Sequence, residues 1–297
     1  MNTVVAIKKS IPDDRIKKLI DELNYALKKT DRQTLVKWGT ESAGIFVSSL
    51  KRRGFGFVNT IRGLATGVAK ESVKAALAAK EGNFRKHFAD RTVDATVAIG
   101  KTKDKLIENI KTIANRVKKE PTTAAPELLV AVIGFYLGSG GLDGDGGIPD
   151  LDLEMGIGSH RSIWFHSIIP GATIEAAVFS LATLADSIHG NLPESHDKLW
   201  DRLITEYNRL SLAFASGTCA GLAYHLIVDA TWDSGKAYSD LPFSTPMAGH
   251  QTIMGVNAAA EVTDINKKST IVAKFKTALG RKCGAKKADY NDNPNSI

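Results

Sequence analysis

The chain has 297 residues, of which 43% are hydrophobic, and its formal net charge is +7. This composition provides enough apolar side chains for a folded core, so it excludes a chain that is disordered throughout. The two cysteines, Cys219 and Cys283, are too few for a disulfide framework and favour a reducing compartment. The first ten residues lack the pattern of a secretory signal, so we expect a cytoplasmic protein.

The net charge conceals three blocks of different sign. Residues 1–120 contain 26 Lys and Arg against 13 Asp and Glu, residues 121–265 contain 5 against 17, and residues 266–297 contain 8 against 2. Such asymmetry predicts separate roles for the blocks. The expected boundary is 119-KEPTTAAPE-127, where two prolines bracket small residues and the sign of the charge changes.

The first block, residues 1–120, is predicted to be a basic helical bundle. Apolar residues recur across 12–29 at the three- and four-residue spacing of an amphipathic helix. Further helices are predicted over 33–50, 58–79 and 93–118, and four helices with short connections are typical of a bundle. Basic runs such as 51-KRR-53 can bind the phosphates of an anionic membrane surface or of nucleic acid. The alternative is a solvated face, or one that docks on the acidic block of the same chain.

The expected second domain, residues 127–265, is also predicted to be helical, and strand signals are sparse throughout. The expected fold class is therefore all-α. Helices are predicted over 174–187, 197–215 and 221–232, and a last helix over 265–279 is expected to precede a basic polar tail within 266–297.

No segment is predicted to be a clear membrane span. The apolar run 128–137 has about half of the roughly 20 residues that a spanning helix needs. Residues 210–228 contain no Asp, Glu, Lys or Arg, but they include several small and polar residues. That composition favours a helix buried in protein over one that faces lipid.

A loop rich in glycine and aspartate offers the first candidate ligands. Asp150 and Asp152 lie two residues apart after Pro149, and carboxylates on an extended segment can reach one cation or bridge two. A solvated acidic loop is the alternative. A calcium-binding EF-hand is disfavoured because Ile148 stands where that loop needs glycine.

Three histidines complete the candidate set. In 160-HRSIWFHS-167, His160 and His166 can converge if His160 ends the loop, while the forked cation of Arg161 suits a phosphate or carboxylate. In 225-HLIVD-229, His225 and Asp229 project from one helical face, where they can bind one metal or orient one another. A His–Asp pair that satisfies itself in the core is the alternative.

The order of these elements resembles that of the membrane-bound metal-dependent hydrolases, a group described as inner-membrane-associated and LexA-binding. The matching residues are Pro149, Asp150, Asp152, His160, Arg161, His166, Ser167, His225 and Asp229. The resemblance covers roughly residues 127–255 and none of the N-terminal block. It implies a helical domain that holds one or more divalent metals and hydrolyses a phosphoester.

The expected ligands are Asp150, Asp152, His160, His166, His225 and Asp229, with Arg161 and Asp152 as the catalytic residues. Zinc is the expected metal, with Mn, Fe or Mg as alternatives, and it would lower the pKa of a bound water towards neutrality. The substrate would be a phospholipid or a nucleic acid.

A non-enzymatic protein is the competing hypothesis. It would bind a membrane or partner through the basic block and carry a closed, structural metal site, whereas a catalytic site keeps a position open for water. A toxin or defence effector is a third hypothesis. We expect a bacterial protein that is cytoplasmic or peripheral at the inner membrane, and the charge blocks allow an oligomer. His250 is a further candidate ligand, while His189 and His196 are expected to be exposed.

Overall fold

The computed structural model describes residues 12–142, 146–156, 161–232, 238–240, 242 and 246–265. In those residues the chain forms seven α-helices and one 3-10 segment. The helices are α1 Asp13–Lys29, α2 Arg32–Lys80, α3 Phe84–Lys119, α4 Pro121–Ser139, α5 Ile168–His189, α6 Leu199–Trp232 and α7 Met247–Ile265, and the 3-10 segment is Pro149–Met155. No strand occurs in this described part of the chain, so the predicted all-α fold is confirmed.

Two pairs of predicted helices are single helices in the structure. α2 runs for 49 residues through the expected gap at 51–57, and α6 runs for 34 residues through the expected gap at 216–220. The buried face of α2 continues through Ile45, Ser49, Arg53 and Gly56. Two of these four buried residues are polar. The hydrophobic pattern in the sequence therefore breaks at these positions, although the buried face of the helix continues through them.

The proposed division into an N-terminal bundle and a separate second domain is not confirmed. The expected boundary is only a one-residue break at Glu120 between α3 and α4. The first half of α2 packs against α5 and α7, which belong to the second block. The indole of Trp38 also donates a hydrogen bond to the Ser180 carbonyl at 2.6 Å. The expected helix and tail within 266–297 lie outside the described residues.

The basic run 51-KRR-53 is partly buried in an ion network. Arg53 is fully buried and donates to Glu261 at 2.8 Å and to Glu175 at 2.9 Å, while Arg52 pairs with the same Glu175. These contacts are those expected from the alternative in which the basic block docks on the acidic block of the same chain. Arg53 therefore cannot contact an external phosphate in this structure.

α4 and α6 cross at very short range because glycines face each other. Gly134 and Gly138 of α4 lie against the backbone of α6, and Gly217 and Gly221 of α6 lie against the backbone of α4. A side chain at any of these four positions would overlap a facing backbone atom. In both pairs the glycines are four positions apart, and small residues at this spacing are typical of closely packed helices in membranes. The crossing brings the end of α4 next to the C-terminal half of α6.

Among the described residues, three helices are long and apolar enough to cross a membrane. They are Pro121–Ser139, Ile168–His189 and Leu199–Thr231, so the apolar run at 128–137 is part of a longer helix. Only 22% of the apolar stretch of α4 is buried inside the protein. The side chains of Leu129, Val132 and Tyr136 are more than half exposed. By length and composition these helices permit membrane association.

Candidate metal centre

Four parts of the chain surround one buried polar cluster. The 3-10 segment supplies Asp150 and Asp152, and the turn before α5 supplies His166. α6 supplies His225 and Asp229, which lie one turn apart on the same helical face. The C-terminal end of α4 closes the cluster with a backbone carbonyl.

Asp150, His166 and His225 each place one ligand atom at a common point. The Nε2 atoms of the two histidines are 3.4 Å apart, and each lies 3.7 Å from Oδ1 of Asp150. In a tetrahedral zinc site with bonds of about 2.0–2.1 Å, neighbouring ligand atoms are separated by about 3.3–3.4 Å. The triangle therefore has nearly the dimensions of one face of such a tetrahedron. All three residues are buried.

Asp229 lies at a fourth vertex of the cluster. Its Oδ2 atom is 3.4 Å from Nε2 of His166 and 3.8 Å from Nε2 of His225. The same oxygen is 3.4 Å from Nε of Arg161, with which it forms an ion pair. Asp229 can thus complete the coordination of an ion, or accept a proton from a water at the open position.

Backbone and carboxylate partners orient both imidazoles. Nδ1 of His225 lies 3.3 Å from the Ser139 carbonyl, and Nδ1 of His166 lies 3.2 Å from Oδ2 of Asp152. A carbonyl only accepts hydrogen bonds, so His225 donates from Nδ1 and its Nε2 lone pair is directed into the cluster. Outer partners of this kind are typical of metal-binding histidines.

This tautomer assignment explains why the cluster suits a cation. When His166 is in the same tautomer as His225, with its proton on Nδ1, the two Nε2 lone pairs face each other and the carboxylates of Asp150 and Asp229. Lone pairs facing one another repel unless a proton or a cation lies between them. A single proton can bridge only one pair of atoms, whereas a divalent ion can bind all of them. The donor set of two imidazoles and carboxylates is one that zinc accepts.

Asp152 takes a different position from Asp150. Its Oδ2 accepts a hydrogen bond from the backbone N–H of Ser162 at 2.8 Å and contacts Nδ1 of His166, away from the ring atom that faces Asp150. Asp152 is predicted to be a ligand and a catalytic residue, and that prediction stands beside a further role, because its position next to Nδ1 of His166 lets it orient that ring.

The glycine-rich loop folds back onto the end of α4 and fixes Asp150. Gly146 and Gly147 have φ values of 92° and 76°, which favour glycine. A Cβ on Gly147 would lie 2.5 Å from the backbone nitrogen of Gly140, so this close approach also needs glycine. The N–H of Gly146 donates to Oδ2 of Asp150, which leaves Oδ1 directed at the histidines. The glycines therefore allow the loop to present its carboxylate.

Arg161 occupies a strained backbone position. It is the one described residue other than glycine with a positive φ, 64°, and its side chain is buried. Strain of this kind persists where surrounding contacts enforce it, and it often accompanies functional sites. Here the Ser239 N–H donates to the Arg161 carbonyl at 3.1 Å. Asp240 accepts from the hydroxyl of Ser162 at 3.1 Å and from the N–H of Ile163.

Most of the predicted site residues converge, with two exceptions. His160 lies outside the described residues. His250 is buried in α7, but its Nε2 contacts the backbone carbonyl of Asp229 at 3.0 Å and so supports α6 beside the cluster. Sequence reasoning missed Ser139 and Asp240. Ser139 acts through its carbonyl, which no side-chain pattern can reveal, and Asp240 belongs to no recognisable motif.

No protein-family model, curated protein or solved structure matches this chain. The resemblance to the metal-dependent hydrolases therefore rests on the matched residues alone and stays a prediction. The convergence of Asp150, His166, His225 and Asp229 is a separate observation, because it comes from the fold of this chain.

Proposed function

We propose that the protein is a metal-dependent hydrolase of phosphoesters. The observation that carries the proposal is the triangle of Asp150, His166 and His225, whose ligand atoms are 3.4–3.7 Å apart. Three protein ligands with a further position for water are typical of catalytic zinc sites, whereas structural sites are closed by four protein ligands. Bound zinc would supply a water of lowered pKa and a positive charge beside the phosphoryl oxygens.

The chain's own residues divide the remaining work. Asp229 is placed to accept the proton of the attacking water, because its Oδ2 lies next to both histidine Nε2 atoms. Arg161 lies 3.4 Å from that carboxylate, and its positive charge would stabilise the charge that develops on a phosphoryl oxygen. Asp152 holds the ring of His166 in place.

A phospholipid is the substrate class that the surroundings of the site favour. Leu151 and Leu153 alternate with the two aspartates of the 3-10 segment and are 45% and 42% exposed, and Trp164 is 65% exposed between Arg161 and His166. Exposed apolar residues next to ligands suit a substrate whose phosphate is attached to apolar chains. The three helices of membrane-spanning length fit the same substrate class.

A nucleic-acid substrate has less support. Arg161 is the only lysine or arginine between residues 121 and 197, the segment that contains most of the cluster. Binding to nucleic acid depends mainly on several cationic contacts to the phosphate backbone. The basic residues of the chain are concentrated in α1–α3, away from the site in the sequence. Their binding to an anionic membrane surface remains part of the proposal.

The test measures metal content and hydrolysis together, on full-length protein in mild detergent. Wild type is compared with Asp150→Ala, His225→Ala and the control His87→Ala, which changes a histidine of α3. Substrates are phosphatidylglycerol vesicles, a soluble aryl phosphodiester and single-stranded DNA. We expect Asp150→Ala and His225→Ala to lose one equivalent of zinc and the cleavage of lipid and diester, with little cleavage of DNA throughout. Zinc lost in these variants without any wild-type hydrolysis would indicate a structural site instead.

A further inference from the structure

We infer that a second divalent-metal site lies where α5 ends and α6 begins, with His189, His196 and Asp201 as its ligands. Nε2 of His189 is 2.9 Å and Nε2 of His196 is 3.0 Å from the same oxygen, Oδ1 of Asp201. All three ligand atoms lie within 4.8 Å of one another. This site does not depend on the proposed hydrolase activity.

The second site is remote from the first. Asp201 and His225 belong to the same helix and are separated by 24 positions, which corresponds to roughly 36 Å at about 1.5 Å per residue. The two sites also differ in exposure. Side chains of the second cluster are 20–54% exposed, whereas those of the first are buried. An ion at the second site therefore has direct access from solvent.

The orientation of His196 is the strongest argument for a cation. Its Nδ1 lies 2.8 Å from the carbonyl of Pro193, which can only accept, so Nδ1 carries the proton. In the neutral ring the Nε2 lone pair then points at a carboxylate oxygen of Asp201, and two acceptors face each other. A carbonyl on one ring nitrogen with an anionic oxygen near the other is the arrangement of a metal-binding histidine. The competing occupant is a proton on His196.

His189 supplies a second imidazole nitrogen to the same cluster. Its ring approaches the same Asp201 oxygen, and the two imidazole centroids are 5.2 Å apart. A proton on His196 and the Nε2–H tautomer of His189 would satisfy the two contacts separately, whereas one metal would bind both nitrogens and the carboxylate. Imidazole with carboxylate suits Zn²⁺ and similar first-row ions. Water would occupy the remaining positions.

The turn that carries His196 is already held in place. The N–H of His196 donates to the Pro193 carbonyl at 3.0 Å, and the N–H of Leu192 donates to the His189 carbonyl at 3.0 Å. Asp197 accepts from Leu199 N–H and pairs with Arg15 of α1, both at 2.8 Å. A preformed set of ligands lowers the ordering cost of binding. The ion would join the end of α5, the turn and the start of α6, so its expected role is to stabilise that connection.

The test counts zinc ions on the chelator-stripped full-length protein by elemental analysis and calorimetry. Wild type is expected to bind two equivalents, and both His189→Ala/His196→Ala and Asp201→Asn to bind one. Asp150→Ala is also expected to bind one, while His87→Ala keeps both. Zinc should raise the melting temperature less in the His189→Ala/His196→Ala variant than in the wild type. Circular dichroism checks that each variant folds.

The results separate the two sites. Equal zinc counts in wild type, His189→Ala/His196→Ala and Asp201→Asn would overturn the second site and leave the first untouched. A wild type that binds one equivalent, lost on changing His189 and His196 and kept in Asp150→Ala, would support the second site and contradict the first.

Discussion

His166 and His225 direct their Nε2 atoms at each other across 3.4 Å, although they are 59 positions apart in the chain. Each ring is turned into this position by a partner on its far nitrogen, Asp152 for His166 and the Ser139 carbonyl for His225. The pairing therefore depends on contacts outside the triangle. Substitutions that remove these outer contacts should therefore weaken the pairing of the two histidines, as substitutions of the histidines themselves would.

Asp152→Asn should weaken metal binding without abolishing it. The amide keeps an acceptor for the Ser162 N–H but removes the negative charge beside His166, so the ring is less firmly oriented and less basic. Loss of an outer partner typically lowers metal affinity by about 10- to 100-fold. Zinc affinity measured against a competing chelator should show this loss, and Asp104→Asn on α3 should show none. If Asp152→Asn lost zinc as completely as Asp150→Ala, Asp152 would be a ligand.

Gly221→Ala should disturb both stability and the metal centre. The new methyl group would overlap the Phe135 carbonyl of α4 and push α4 away from α6, which moves the Ser139 carbonyl from His225. Overpacking typically costs about 1–3 kcal/mol. We expect a lower melting temperature and weaker zinc binding.

Gly255→Ala is the matched control for this change. Gly255 lies inside α7, and a methyl group added there would meet no atom of a neighbouring helix within 4 Å. Alanine should therefore be neutral or stabilise the helix by up to about 1 kcal/mol. Equal melting temperatures for the two variants would contradict the close helix crossing.

Arg53→Ala should be among the most destabilising changes in α2. It would leave Glu175 and Glu261 as buried carboxylates that have lost their shared cation, and breaking a buried ion network typically costs about 3–5 kcal/mol. Arg62→Ala, on the exposed part of the same helix, should change stability little. Thermal unfolding in detergent compares the two.

Neutralising a carboxylate of the same network should recover part of the loss. Arg53→Met combined with Glu261→Gln removes one buried charge of each sign, so it should be more stable than Arg53→Met alone. If the double variant were the less stable of the two, Glu261 would be stabilised by something other than Arg53.

The residues of the buried polar cluster could be predicted from the sequence better than the architecture around them. His225 and Asp229 share a helical face by spacing alone, and Asp150 follows a proline at a loop end, so local patterns identify all three. The long α2 could not be predicted in the same way, because its buried face includes Ser49 and Arg53. These polar residues are buried only because Glu175 and Glu261 come from distant parts of the chain.

Distance in the sequence also explains why α6 is predicted as two helices. Gly217 and Gly221 suggest a helix break when they are considered alone, since glycine disfavours helices. In the structure they permit contact with α4, whose own glycines are about 80 residues away. The distinction between a helix break and a packing contact requires the partner helix to be known.

Alkaline pH should loosen the segment that supports Arg161. Burial raises the pKa of Tyr238 to about 12, and Asn257 donates to its hydroxyl at 2.7 Å. An unfolded tyrosine ionises near pH 10, so below that pH the contribution of Tyr238 to stability is complete. Between about pH 10 and 12 the unfolded state releases its proton first, and stability should fall by up to about 1.4 kcal/mol per pH unit.

The matched variants for this effect are Tyr238→Phe and Tyr25→Phe. Tyr238→Phe removes the ionising group, so its melting temperature should decline less between pH 10 and 11.5 than that of wild type. Tyr25 is 42% exposed on α1, and Tyr25→Phe should behave as wild type. Parallel curves for all three proteins would show that Tyr238 does not govern the alkaline loss.

The exposed rim of the first site should matter for lipid and not for a soluble substrate. Trp164→Ser with Leu153→Ser replaces two apolar side chains that are 65% and 42% exposed, so neither the fold nor the zinc count should change. Because the indole and leucine would contact the lipid surface, we expect cleavage of phosphatidylglycerol vesicles to fall at least tenfold while the soluble diester is cleaved at the wild-type rate.

Leu129→Ser on α4 is the control for general loss of membrane contact, since it changes an exposed apolar residue outside the 3-10 segment and the 161–167 turn. Equal losses on both substrates would mean that the rim supports the metal centre itself, and equal losses in the Leu129→Ser control would assign the effect to membrane association as a whole.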